Sequence, residues 1–274
     1  MSTETPYLQG LNDQQKSAVL HIDGPLMVLA GAGSGKTRVI THRIVHIIHT
    51  GVDPRNILAV TFTNKAAKEM RERVDQLVHK YSPSDRAGID NLPLVTTFHS
   101  LGVRLLREFH EAMNLRRHFT IYDRADSMRA IKQAIIKADY DPKEFEPKRI
   151  LGMISRAKGD ALTQLAYQDA AGSFPEQVAA AVWEKYETIL QEEHALDFDD
   201  LLAKTLRLLE NNPSVRAKLQ ERFKYIHVDE YQDTNRVQFS IVELLAGEQQ
   251  NICVVGDLDQ LIYSWRGADM KNVL

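Results

Sequence analysis

Residues 30–37 read AGAGSGKT, a glycine-rich stretch that ends in a lysine and a hydroxyl. Glycines at 31, 33 and 35 free the backbone to curl until successive N–H groups face inward, which makes a cradle for an anion. If a helix starts there, its N-terminus adds the positive end of its dipole. Lys36 then reaches the β- and γ-phosphates of a nucleotide and the Thr37 hydroxyl ligates Mg²⁺. Position 30 is Ala where the strict pattern has Gly, and the polar work falls to Lys36 and Thr37. The candidate nucleotide-binding set is Ala30, Gly31, Ala32, Gly33, Ser34, Gly35, Lys36 and Thr37, with Arg38 next in line. A second cluster, DEYQD at 229–233, lies about 190 residues downstream. Asp229 is placed to hold Mg²⁺, directly or through water, and Glu230 to orient and deprotonate an attacking water. Taken alone, the cluster has a rival and weaker explanation, an acidic strand end facing solvent. Together the two motifs describe an ATPase.

Such side chains meet only if strands and helices bring them together. PLMVLAG (25–31) is a continuous apolar run ending in a glycine turn, which predicts a short buried strand. A helix is expected over about 36–50, with Val39, Ile40, Ile44, Ile47 and Ile48 on one face and Gly51 as its stop. NILAVT (56–61) predicts a second buried strand leading into a helix over 65–78. Residues 92–96 predict a third, followed by a helix to about His110. Strands alternating with helices imply a parallel sheet covered on both faces. From 104 to 194 strand signals almost vanish, and helices are expected near 124–137, 147–158 and 175–194. Strands return at KYIHV (224–228) and NICVV (251–255), at whose C-terminal ends ligands bind in parallel sheets. The expected organisation is one α/β domain, 1–103 with 195–274, interrupted by a mostly helical subdomain at 104–194.

Composition narrows the class. The 274 residues are 43% hydrophobic and 26% charged, which excludes collagen-like, low-complexity and wholly disordered chains. The single cysteine cannot form an internal disulfide, MSTETPYLQG does not read as a signal peptide, and apolar runs are too short to span a bilayer. A soluble, cytoplasmic protein is the expectation. The net charge of −3 gives no overall sign of a nucleic-acid partner. Residues 104–158 nonetheless hold 13 Lys and Arg against 8 Asp and Glu, which permits an anionic partner on one face without requiring it.

In order along the chain come LNDQQ (11–15), AGAGSGKT, TFTNKAAKEM (61–70), TFHSLG (97–102), DFDDLL (197–202), VDEYQDTN (228–235) and VGDLDQLIYSWRGA (255–268). This series resembles UvrD/Rep/PcrA-type superfamily 1 DNA helicases over nearly the whole chain. Leu258 and Leu261 depart from the family, which usually shows an acidic or small residue and a serine there.

The resemblance implies the N-terminal, RecA-like P-loop domain of such an enzyme, with the helical subdomain inserted between TFHSLG and DFDDLL. It implies ATP with Mg²⁺, adenine recognition by Gln15, and γ-phosphate sensing by Gln260. It places single-stranded DNA on Phe62, Thr63 and Asn64, on Thr97, Phe98 and His99, and on Tyr263, Trp265 and Arg266. Lys65 and Lys68 would touch phosphates, although a solvated helix face explains them as well. Aromatic stacking suits a motor indifferent to sequence, whereas without the family Phe62 and Phe98 read as core. The implied partner is single-stranded DNA or a single/double-strand junction, with 3′→5′ movement, in a repair setting among others. A second RecA-like domain, which supplies arginine fingers in the family, is not in these residues, so weak hydrolysis by this chain alone is expected. Rival readings are the motor of a RecB/AddA-like helicase–nuclease and a non-catalytic, ATP-gated DNA-binding module.

Overall fold

The computed structural model describes residues 5–31, 33–81 and 92–257. Their contacts divide the chain into two compact units, one of 1–101, 213–234 and 238–274 and the other of 102–212 with 235–237.

The first unit is built on a five-stranded sheet of β1 (Leu26–Leu29), β2 (Ile57–Thr61), β3 (Leu94–Thr97), β6 (Tyr225–Val228) and β7 (Ile252–Gly256). Every pairing is parallel, and the strand order is β1-β7-β6-β2-β3. The register sets Leu29 beside Gly256 and Val228 beside Val254, so the C-terminal ends of β1, β7 and β6 lie together. Its helices are α1 (Asp13–Leu20), α2 (Lys36–His49), α3 (Asn64–Tyr81), the start of α4 (Phe98–Glu108), α10 (Pro213–Arg222) and most of α11 (Arg236–Ala246). One core joins Val39, Ile40, Ile44 and Ile47 of α2 and Met70 and Val74 of α3 to Ile57, Ala59, Val95 and Val255 of the sheet. All five residues of β2 are buried, as a central parallel strand requires. β1 departs from the expectation of a buried strand. Leu26 and Val28 pack on this core while Met27 and Leu29 are 42% and 44% exposed, because β1 is the edge strand of the described sheet.

Tyr7 anchors the N-terminal segment to α2. His42 Nδ1 donates to the Tyr7 carbonyl (2.6 Å), and the Tyr7 hydroxyl is hydrogen-bonded with His46 Nδ1 (2.8 Å). Burial, with neighbouring positive charge, holds both imidazoles below the usual histidine range. A depressed folded value means that stability is fully present above the unfolded value of 6.5 and is lost as pH falls below it. Urea unfolding from pH 8 to 5 should show that decline, and a H42Q/H46Q double variant should show a flatter one.

The second unit contains α5 (Arg124–Lys137), α6 (Pro147–Gly159), α7 (Gln164–Ala170), α8 (Phe174–Glu192), α9 (Phe198–Asn211) and a two-stranded parallel ribbon of β4 (Thr120–Ile121) and β5 (Ala195–Leu196). Capping residues define its helix starts. Asp123 opens α5 with Asp126 in a capping box, and Ser173 with Glu176 opens α8 around Pro175 in its first turn. Trp183, Tyr186 and Ile189 of α8 pack against Ile131, Ile135, Ile150 and Ile154.

Within this core the Lys158 ammonium is 2% exposed and bonds Asp197 (2.9 Å) and Asp200 (2.8 Å), with Glu187 at 3.3 Å. Burial alone would lower the lysine's proton affinity, but the three carboxylates outweigh it and hold the ammonium charged. Asp197 and Asp200 also form the capping box that starts α9. Two of the three acidic residues of DFDDLL, Asp197 and Asp200, therefore serve the unit's interior. Lys158→Met leaves buried carboxylates uncompensated and should cost about 3–5 kcal/mol in a urea titration.

Candidate functional site

The site forms where the C-terminal ends of β1, β6 and β7 meet the N-terminus of α2. The Ala30 N–H donates to the Gly256 carbonyl (3.0 Å), extending the β1–β7 pairing into the loop. Gly33 and Gly35 have φ of 75° and 88°, the left-handed region open to glycine at no steric cost, and Gly35 is the N-cap of α2. A Cβ on Gly35 would lie 2.9 Å from Gln15 Nε2.

Lys36 is 9% exposed, and its ammonium donates to the carbonyls of Ala30 (3.0 Å) and Gly31 (3.3 Å) and to Asp257 Oδ2 (3.1 Å). The Thr37 hydroxyl donates to Asp229 Oδ2 (3.2 Å). Asp229 is buried, and its backbone N–H donates to the Val60 carbonyl of β2 (3.0 Å). Burial first, then the charge of Glu230, pushes its carboxyl above the usual aspartate range, opposed by its bond from Thr37 and by Lys36. Glu230 adopts a left-handed backbone, φ 51° and ψ 45°, which costs a non-glycine residue about 1–2 kcal/mol. Strain of this kind concentrates where a side chain must be aimed. Gln232, in the short helical turn after Glu230, donates to Glu230 Oε2 (2.7 Å) and accepts from the Asp257 N–H (3.0 Å).

Gln15 is the third residue of α1, where it shares a capping box with Asn12. Its amide donates to the Ser34 carbonyl (3.0 Å), so it ties α1 to the loop and lines a cavity of about 530 Å³ with Asn12, Met27, Ser34 and Lys36. Arg38 is exposed.

The other two clusters follow β2 and β3. Phe62 is half-buried and meets the buried Phe98 edge-to-face at 5.7 Å. Thr63 and Asn64 are exposed, and the Thr63 hydroxyl accepts from the Ala66 N–H at the start of α3 (3.1 Å). Thr97 is buried, its hydroxyl accepting from the Ser100 N–H (3.2 Å) to start α4, and His99 is half-buried. Lys65 and Lys68 are exposed and form loose pairs with Glu69 and Glu72 at 4.0 and 3.9 Å. Ala32, Gln260, Tyr263, Trp265 and Arg266 lie outside the described residues. Sequence reasoning assigned no role to Gln232 or Asp257, although both sit inside quoted motifs. Only their bonds to Glu230 and Lys36 single them out.

A parallel sheet with a glycine-rich loop leading into a helix, and a buried acidic strand end bonded to that loop, defines the RecA-like P-loop fold. A family model described as the UvrD/REP helicase N-terminal domain matches residues 11–274, and the chain belongs to that family. Among its relatives are three proteins called ATP-dependent DNA helicase PcrA. The one from Bacillus subtilis is 47% identical over 97% of this chain and 35% of its own length. That from Leuconostoc citreum is 46% identical over 100% and 36%. That from Staphylococcus aureus is 46% identical over 97% and 36%. The chain thus spans about a third of the length of the curated relatives it matches. Among the described residues, no helix is long and apolar enough to cross a membrane.

An alanine at 35 would combine a left-handed backbone with a Cβ pressing on Gln15. Gly35→Ala should lower stability by about 1–2 kcal/mol in a urea titration. It should also broaden or shift the Gln15 side-chain amide resonance.

Proposed function

We propose that this chain is the ATP-binding portion of an ATP-dependent DNA helicase that moves along single-stranded DNA, with 3′→5′ polarity. The contact of Thr37 with Asp229, 192 residues apart in sequence, carries the reading. It joins the phosphate cradle to an acidic strand end, as nucleotide hydrolysis requires. The donor set fits Mg²⁺, a hard cation that takes one or two protein oxygens and fills its other positions with water and phosphate. Thr37 and Asp229 would hold it, and bound there it neutralises charge on the phosphates. Lys36 would exchange its loop carbonyls and Asp257 for phosphate oxygens. Glu230 would take a proton from the attacking water as its oxygen bonds the γ-phosphorus, the β–γ bridge breaks, and ADP and phosphate leave.

Gln15 and the cavity beside it would take the adenine. Exposed Thr63 and Asn64, with Phe62 braced by Phe98, support a strand-binding surface, to which Thr97, His99, Tyr263, Trp265 and Arg266 belong in the same proposal. Gln260 would report loss of the γ-phosphate to that surface. The domain frame proposed from the sequence is a RecA-like domain of 1–103 and 195–274 with a helical insertion at 104–194, whereas the contacts group 195–212 with the second unit. The name and length of the relatives support a second motor domain supplied in cis by the remainder of a longer protein. Arginine fingers from such a domain are worth about 10³–10⁵ in turnover, so this chain alone hydrolyses ATP slowly.

The chain should bind Mg·ATP, and Glu230→Gln should keep that binding while lowering single-turnover hydrolysis by about 10²–10⁴-fold. Adding single-stranded oligonucleotide should accelerate the unsubstituted chain and not the variant. Absence of Mg·ATP binding, or hydrolysis indifferent to Glu230→Gln, overturns the reading.

A further inference from the structure

We infer that Gln232 is a positioning residue that fixes the Glu230 carboxylate to the end of β7, and through Asp257 to the lysine of the phosphate loop. The catalytic part of this inference rests on the proposed ATP hydrolysis; the structural part does not. Gln232 is 5% exposed and uses the two ends of one amide on two different elements. Its Nε2 donates to Glu230 Oε2 (2.7 Å) and its Oε1 accepts from the Asp257 N–H (3.0 Å). The same Asp257 offers its carboxylate to Lys36 (3.1 Å). Glu230, Gln232, Asp257 and Lys36 form a continuous line from the proposed base to the proposed phosphate ligand.

The local backbone is shaped for this contact. Glu230 sits in the left-handed region, which turns the chain sharply so that Gln232, two residues later, faces back toward it. On the other side, a Cβ on Gly256 would lie 3.0 Å from Gln232 Oε1, so glycine there lets β7 close on the amide. Glutamine alone suits the place. Glutamate keeps the acceptor for Asp257 but sets a like charge against Glu230, and leucine supplies neither donor nor acceptor. A phosphate that draws Lys36 away from Asp257 changes the charge at the end of β7, which holds Gln232. The base is thereby coupled to occupancy of the loop.

Two variants separate the two bonds. In the 274-residue chain without nucleotide, amide hydrogen exchange at Asp257 should quicken by about tenfold in Gln232→Leu and stay within about threefold of the unsubstituted protein in Gln232→Glu. Single-turnover ATP hydrolysis should fall by about tenfold or more in both, with Mg·ATP affinity within about threefold, because a bond to a charged group is lost without touching the phosphates. Unchanged exchange in Gln232→Leu overturns the inference. So does normal hydrolysis in Gln232→Glu, or affinity falling in step with rate. If the unsubstituted chain neither binds nor hydrolyses Mg·ATP, the functional proposal fails, and exchange at Asp257 alone decides whether the clamp exists.

Discussion

The order of three strands, β1-β7-β6, constrains everything else in the first unit. Because these strands are parallel and neighbours, their C-terminal ends open onto the same point, and the residues that follow each one are forced together. Residues that follow β1 supply the glycine loop and Lys36, residues that follow β6 supply Asp229 and Glu230, and Asp257 follows β7 directly. The ion pair of Lys36 with Asp257 and the hydrogen bond of Thr37 with Asp229 are consequences of this order. A buried ammonium and a buried carboxylate would be unfavourable singly; Lys36 and Asp257 answer each other's charge, while Asp229 is held by the Thr37 hydroxyl.

The second unit solves a similar problem with a different purpose. Lys158, Asp197 and Asp200 are as deeply buried as the site's own charges, but helix packing encloses them, and the two aspartates also begin α9. Buried charge alone therefore does not mark a functional centre in this protein. What separates the two clusters is backbone. The first stands on a loop with left-handed glycines and a left-handed Glu230, whereas the second stands on the end of α6 and the capping box of α9, with left-handed Ala161 and His194 three residues away.

Much of the fold was legible in the sequence. The five strands of the main sheet, α2 and α5 can be read from apolar runs, glycine stops and period, since burial on two faces leaves an unmistakable pattern in β2, β6 and β7. α1, α7, α9, α10 and α11 fall outside that reading, and the short ribbon of β4 and β5 has only two residues per strand, too few for any periodicity. Edge position misled the reading of β1, because LMVL is apolar throughout while the described sheet covers only Leu26 and Val28. Of the site, the phosphate loop and the acidic pair were legible because their spacing is itself the chemistry. Gln232 and Asp257 were not, since an amide and a carboxylate in polar turns carry no local signal, and their meaning lies in contacts across more than twenty residues.

Those contacts give the P-loop lysine a structural role beside the phosphate-binding role proposed for it. Lys36 satisfies two loop carbonyls and Asp257, which fixes the loop's curl and the end of β7 at once. An anion that competes for that ammonium must match three existing bonds, so the cradle discriminates by charge and geometry before any chemistry begins. In the proposed binding step the Asp257 carboxylate gives up the lysine while its backbone N–H still holds Gln232 and, through it, Glu230. The two proposed tasks thus meet at one residue, Asp257, whose carboxylate serves Lys36 and whose backbone N–H serves Gln232.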